Sequence, residues 1–170
     1  MTALQLSHGW QQLSDRSDEE YTPDRVLGLE ADEIFVFGSN LLGHHMGGAA
    51  RTARRVFNAE MGVGEGLTGQ AYALPTLGKD MRQVAPEALR ASFQRLLLFA
   101  LDHPMLTFYL TEVGCGIAGW SAEEVSALLW QAVRELSEEA YELRAMPINL
   151  VIPKNLVSRE SLRRSSLALG

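Results

Sequence analysis

At 170 residues, 46% of them hydrophobic and 21% charged, the chain has the length and composition of one ordinary globular domain with a real core. A formal charge of -6 argues against a non-specific coat on nucleic acid, although not against nucleotides, because a backbone cradle needs little basic charge. The single cysteine, Cys115, excludes an intrachain disulfide and suits a reducing compartment; no basic, apolar leader opens the chain and no run of ~18 apolar residues exists, so a cytoplasmic protein that does not span a membrane is expected.

In chain order, residues 1–20 form a polar arm with a charge cluster, Asp15-Arg16-Ser17-Asp18-Glu19-Glu20, and Trp10 as its one anchor. Thr22-Pro23-Asp24 has the chemistry of a helix start, with Thr22 as N-cap, so a short helix is expected through Val26 to Leu29. Ile34-Phe35-Val36-Phe37 is apolar without alternation, the pattern of a strand covered on both faces. It breaks at Gly38-Ser39-Asn40 into a loop with Gly43, His44, His45, Gly47 and Gly48. A helix follows to about Glu60, its small Ala49, Ala50 and Ala53 suited to lie close on a sheet.

Gly62, Gly64, Gly66 and Gly69 exclude regular structure from the next stretch and point to tight turns. Gln70 to Leu74 reads as a second strand, ended by Pro75 and Thr76. A helix is expected from Glu87 to Leu101, with Leu89, Phe93, Leu96, Leu97 and Ala100 on its apolar stripe. A third strand spans Leu106 to Thr111 and runs into a second glycine loop, Glu112 to Trp120. Ser121 and Glu124 then have capping-box spacing for a helix to about Leu136, with Val125, Leu128, Leu129 and Val133 inward. Ile148 to Ile152 is a last strand, closed by Pro153. The division is an arm (1–20), one domain (21–153) and a tail (154–170) with four basic residues and one acid. Strand, glycine loop and helix recur at 34–60 and 106–136, and the alternation argues for an α/β sandwich with a mixed or mostly parallel sheet.

If the strands of the two glycine loops are parallel, both loops stand at one sheet edge and make a two-walled pocket. The first wall presents N–H groups around Gly43, Gly47 and Gly48 at a helix start, where an anion is favoured. Asn40 can donate and accept toward a ribose or a carbonyl, or merely form an Asx-turn. The second wall is Gly114, Cys115, Gly116, Ile117, Ala118, Gly119 and Trp120. Its tryptophan either covers a sugar or ring, or packs on the core. Neither wall is a GxxxxGK[ST] or GxGxxG loop.

The stretches TPDRV, EIFVFGSNLLGHHMGGAARTA, GVGEGLTGQAYALPT and TEVGCGIAGW together resemble the macrodomain family of ADP-ribose-binding modules, and more narrowly a bacterial and phage group of macrodomain-like proteins. The resemblance covers residues 22 to 152. It implies a three-layer α/β/α sandwich with a mixed, mostly parallel sheet. It places Asn40 beside the distal ribose, the stretch from Gly43 to Ala50 around that ribose and the diphosphate, and Cys115 to Trp120 over the diphosphate, with Trp120 beside the distal ribose. It implies binding of ADP-ribose or a related nucleotide, or removal of ADP-ribose from a protein or a nucleic-acid end. The Gly-Asp-Ile that holds adenine in common macrodomains is not present in recognisable form, and His44 and His45 stand where relatives carry small residues.

Among candidate catalytic groups, Glu65 lies in a glycine run, where it would orient a ribose or activate water, or be a solvated turn acid. Glu112 is a second, less supported carboxylate. His44 and His45 have the reference pKa for acid–base work at a ribosyl bond, with phosphate contact and a structural role as the alternatives. Adjacent histidines without a spaced carboxylate or thiol make a poor metal site, so neither metal nor cofactor is expected. Cys115 between two glycines could have its thiol pKa lowered by backbone N–H groups, or simply fit a tight loop. Thr76 either touches ligand or caps its turn. Three classes follow: a hydrolase of ADP-ribosyl conjugates, a non-catalytic nucleotide-binding module, and a partner-binding protein that keeps the fold without the pocket.

Overall fold

The computed structural model describes residues 9–157. The expected arm and tail therefore extend beyond the described residues at 1–8 and 158–170. Among the described residues strand β1 (Trp10–Gln12) comes first, followed by two 3-10 turns, β2 (Glu33–Asn40), α1 (Gly48–Val56), β3 (Gly66–Thr68), β4 (Ala71–Leu77), α2 (Pro86–Asp102), β5 (Thr107–Leu110), α3 (Ala122–Leu136), α4 (Glu138–Glu142), β6 (Ala145–Pro147) and β7 (Leu150–Val151). Five strands form the main sheet in the order β3-β4-β2-β5-β7. The β2–β4, β2–β5 and β5–β7 pairs are parallel, and only β3–β4 is antiparallel. Helices lie on both faces, so the molecule is a three-layer α/β/α arrangement around a mixed, mostly parallel sheet.

The apolar run in β2 explains why this strand is central. Phe35 and Phe37 point to one face and join Ala50, Ala53 and Phe57 of the α1 segment with Ala71 and Ala73 of β4. Ile34 and Val36 point to the other, where Leu89, Phe93, Leu96 and Leu97 of α2 and Val125, Leu129 and Val133 of α3 build the larger core. All four strand side chains are buried. The small alanines of α1 let it sit close to the sheet, while Arg51, Arg54 and Arg55 face solvent.

From β2 the chain crosses through α1 to β4 on one side, then returns through α2 to β5 on the other. The strand order thus reverses at β2 and β5, and in open α/β sheets the crevice beyond the carboxyl ends at such a point is where ligands bind. The β2–β4 register slips between Ser39 and Asn40, an irregularity that re-aims side chains at the strand end.

Several expectations are corrected. No helix forms over Val26–Leu29. The segment has no regular structure; the Thr22 hydroxyl donates to the Val151 carbonyl (3.1 Å) and its N–H to the Ile152 carbonyl, so Thr22 caps no helix. The α1 helix stops at Val56 rather than Glu60. Asn58 takes a left-handed φ of 59°, and the Phe57 and Ala59 N–H groups both reach back to the Ala53 carbonyl, which closes the helix end. The glycine stretch does hold regular structure, since Gly66–Thr68 pairs antiparallel with β4. Strand β4 continues through Pro75, beyond the last residue paired with β3, where the missing N–H breaks no ladder on that side. The last strand is shorter than read, with Ile148 exposed outside it.

Part of the expected arm is stitched down. β1 pairs with β6, Leu13 is buried, and the Arg16 guanidinium donates to the Pro147 carbonyl at 3.1 Å. Ser121 is the N-cap of α3 as expected, its Oγ accepting the Glu124 N–H (3.1 Å), but the capping box is not completed: the Ser121 hydroxyl donates to Glu124 Oε1 (3.0 Å), and no bond joins that carboxylate to the Ser121 N–H. Among the described residues no helix is long and apolar enough to cross a membrane.

Candidate functional site

A cleft of about 400 Å³ opens beyond the carboxyl ends of β2, β4 and β5. Its first wall is the end of β2 and the start of α1, from Gly38 to Asn40 and Met46 to Ala50. Its second wall is Val113, Gly114, Gly116, Ile117 and Ala118, and Thr76, Leu77 and Met81 form the floor and one rim. The two glycine loops therefore do face each other across one cleft, as parallel β2 and β5 require.

The backbone of both walls points to anion chemistry. At the start of α1 the N–H groups of Gly48, Ala49 and Ala50 make no backbone hydrogen bond among the described residues, and the first intrahelical donor is Arg51, to the Gly47 carbonyl. On the opposite wall Gly116, Ile117 and Ala118 likewise donate to no backbone carbonyl, whereas Cys115, Gly119 and Trp120 close the loop on itself. No acid sits in the first turn of α1 to compete for its positive end. Close approach is built in: a Cβ on Gly38 would stand 3.3 Å from the Gly114 nitrogen, and one on Gly47 would stand 3.2 Å from Ile117 Cδ1.

Asn40 is buried, and its side chain is engaged by its own loop. Nδ2 donates to the His44 carbonyl (2.8 Å) and Oδ1 accepts the His44 N–H (3.0 Å), while its backbone carbonyl accepts the Gly43 N–H (2.9 Å). The side chain thus braces its own loop at His44, four residues on rather than the two of an Asx-turn, and the residue lines the cleft. Gly43 has a φ of 71° and no room for a Cβ, which would lie 2.4 Å from the Gly62 carbonyl carbon; its N–H is engaged and the residue holds the two loops together. Gly47 and Gly48 line the cleft. Thr76 also lines it, buried, its hydroxyl donating to the Ser39 carbonyl at 3.3 Å.

The two histidines are separated by burial. His44 is exposed on the cleft wall. His45 is fully buried, with its ring edge-on to Phe37 at 5.0 Å between centroids. Neither of its nitrogens makes a hydrogen bond of normal geometry. Desolvation pulls the His45 pKa below its ordinary value; the nearby carbonyls of Glu60 and Val63 oppose this, and the charge of Arg54 adds to it. His45 is therefore a neutral packing residue and not a group that can reach a ligand in the cleft.

Glu65, Cys115 and Trp120 also lie off the cleft. Glu65 makes a two-pronged ion pair with Arg95 of α2 (2.6 and 3.0 Å), on the opposite side of the sheet from α1. Burial, helped by the Glu65 charge, pushes the neighbouring Tyr72 hydroxyl up to about 12. The Cys115 thiol is turned toward the larger core and the Val113 carbonyl (3.6 Å); burial and then the Glu112 charge raise its pKa, the reverse of the lowering expected from loop N–H groups. Trp120 is buried in the larger core and does not line the cleft. It packs beneath Gly114, whose Cβ would lie 2.7 Å from Trp120 Cδ1. Gly119 has a φ of 77° and donates to the Gly116 carbonyl, shaping the loop.

Glu112 does line the cleft, and with His44 it is one of two titratable side chains on its wall among the described residues. A second groove of about 590 Å³ adjoins it, sharing Ala49, Thr111 and Glu112, and is bounded by residues 22–27, Phe35, Thr52, Pro153 and Asn155. Leu77, Met81 and Thr111 were missed from sequence. The usable signal was the parallel β4, whose carboxyl end must open on the same edge as the two glycine loops. Among the described residues no group of three or more His, Cys, Asp or Glu side chains is placed to hold a metal ion.

No family model matches the chain, and no curated protein does. Among solved structures it is similar to a protein of unknown function from Bacteroides thetaiotaomicron, at 15% identity over 75% of this chain and 90% of the other, with a TM-score of 0.47.

Proposed function

We propose that the cleft binds ADP-ribose or a related phosphorylated nucleoside in the manner of a macrodomain-like protein, with the diphosphate between the first turn of α1 and the segment Gly116 to Ala118. The observation that carries this reading is the opposition of two sets of backbone N–H groups without backbone partners across one cleft at the reversal point of the sheet. Such a cradle needs no lysine or arginine, in keeping with an acidic chain.

Binding without turnover is the form the side chains favour. Glu65 is paired with Arg95 and His45 is buried, so neither faces a bound ligand. Hydrolysis of an ADP-ribosyl conjugate on a protein or nucleic-acid end would fall to His44 and Glu112, the titratable groups on the wall. The cytoplasm is the proposed setting, on the cysteine content alone.

Calorimetric titration with ADP-ribose tests this, on the wild-type protein and on Gly116→Asp. A Cβ at position 116 meets nothing within 4 Å, so the substitution leaves the fold intact while placing a carboxylate in the cradle. Saturable wild-type binding that weakens about tenfold or more in the variant is expected. A folded protein that binds no ADP-ribose at millimolar concentration would reject the ligand class, and equal binding by both proteins would reject this cradle.

A further inference from the structure

Glu112 stands at the end of β5 and lines both the cleft and the adjoining groove. Ala49 and Thr111 are the other residues shared by the two cavities, so the passage between them has one carboxylate on its wall. Asn155 Nδ2 donates to Glu112 Oε1 at 2.6 Å, which fixes the carboxylate in place from the groove side. The Thr111 hydroxyl donates to the Val36 carbonyl (2.8 Å), so it is directed into the sheet and does not quench the acid. Asp24 and Arg25 also line the groove and carry opposite charges.

A ligand whose diphosphate lies on the N–H groups of α1 and extends along Ala49 into the groove must carry its adjoining sugar past this acid. A fixed carboxylate accepts hydrogen bonds from neighbouring sugar hydroxyls. A phosphate in the same place meets a like charge and has no donor to offer. We propose that Glu112 is a specificity-determining residue, accepting hydrogen bonds from the free hydroxyls of a ribose at this passage and rejecting a ligand phosphorylated there. This rests on the nucleotide-binding reading above.

Two ligands separate the possibilities: ADP-ribose, and ADP-ribose phosphorylated on the adenosine 2′-hydroxyl. Both are titrated into wild type, Glu112→Gln and Asn155→Ala. Wild type binds the unphosphorylated ligand about tenfold or more tightly than the phosphorylated one. Glu112→Gln brings the two within about twofold, mainly by improving the phosphorylated ligand, since the amide keeps the shape and loses the charge. Asn155→Ala gives an intermediate ratio, because the carboxylate remains but is no longer held. A merely structural role would weaken both ligands alike and leave the ratio unchanged, and that result would overturn the proposal. Equal wild-type binding of the two ligands would also overturn it, while leaving the nucleotide-binding reading standing. If wild type binds neither, both fall together.

Discussion

Asn40 and His44 exchange two hydrogen bonds, one from the asparagine amide to the histidine carbonyl (2.8 Å) and one from the histidine N–H to the asparagine oxygen (3.0 Å). One side chain thereby sets the path of the first glycine loop from the point where β2 ends. Asn40→Ala leaves both backbone groups of His44 without this partner, and a loss of about 1–3 kcal/mol in denaturant melts is expected. Amide exchange over residues 41–47 should accelerate with it. Unchanged exchange there would show that the glycine and helix contacts hold the loop unaided.

The buried His45 makes stability depend on pH with a definite sign. Its folded pKa is depressed by desolvation below the ordinary 6.5, so between the two values the unfolded chain binds more protons. The contribution is complete above about pH 6.5 and is lost as pH falls through the depressed folded value. His45→Leu, similar in volume and without a titrating ring, should flatten the profile of unfolding free energy below about pH 6.5, where this group contributes. A variant with the wild-type slope would assign the dependence to other groups.

The Glu65–Arg95 pair lies away from the cleft, and its members are 28% and 53% exposed. Solvent screening limits such a pair to about 1 kcal/mol or less, so Glu65→Ala should cost no more than that, by a double-mutant cycle with Arg95→Ala. ADP-ribose affinity should be unchanged in the same variant. A pronounced loss of affinity would return this acid to the site.

Gly114 and Gly116 sit two residues apart in one loop and should respond oppositely. Gly114 has a φ of 77°, and its Cβ would stand 2.7 Å from Trp120 Cδ1. Gly114→Ala therefore adds backbone strain to a clash with a buried ring, a cost of ~2–4 kcal/mol. Gly116 has open space at its Cβ, and Gly116→Ala should stay within ~0.5 kcal/mol of wild type. Thermal and denaturant melts of the two variants make the comparison, and equal effects would mean that Trp120 moves aside at little cost.

The sequence by itself determined the central strands, the three longer helices and their order, but not the short β1, β3, α4 and β6. The uninterrupted Ile34 to Phe37 run suits a strand buried on both faces, the stripe from Leu89 to Ala100 an amphipathic helix, and Ser121 the N-cap of α3, and each forms there. These signals act over a few residues and are written in the order of side chains along the chain. The two glycine walls were legible for the same reason, and the parallel alternation of strands and helices carried them to one edge.

Tertiary structure alone decided where the polar side chains point. Thr22 has the chemistry of a helix cap, yet it bonds Val151, 129 positions away. Glu65 lies in a glycine run beside the cleft-forming loops, yet Arg95 draws it to the far side of the sheet. His44 and His45 are adjacent in sequence and divided between cleft wall and core, and Trp120 closes its loop from beneath instead of covering the opening. Local pattern specifies backbone conformation because neighbours along the chain compete for the same few dihedrals. A polar or aromatic side chain follows whichever partner or packing surface the finished fold brings within reach, and that partner is set by contacts dozens of residues distant.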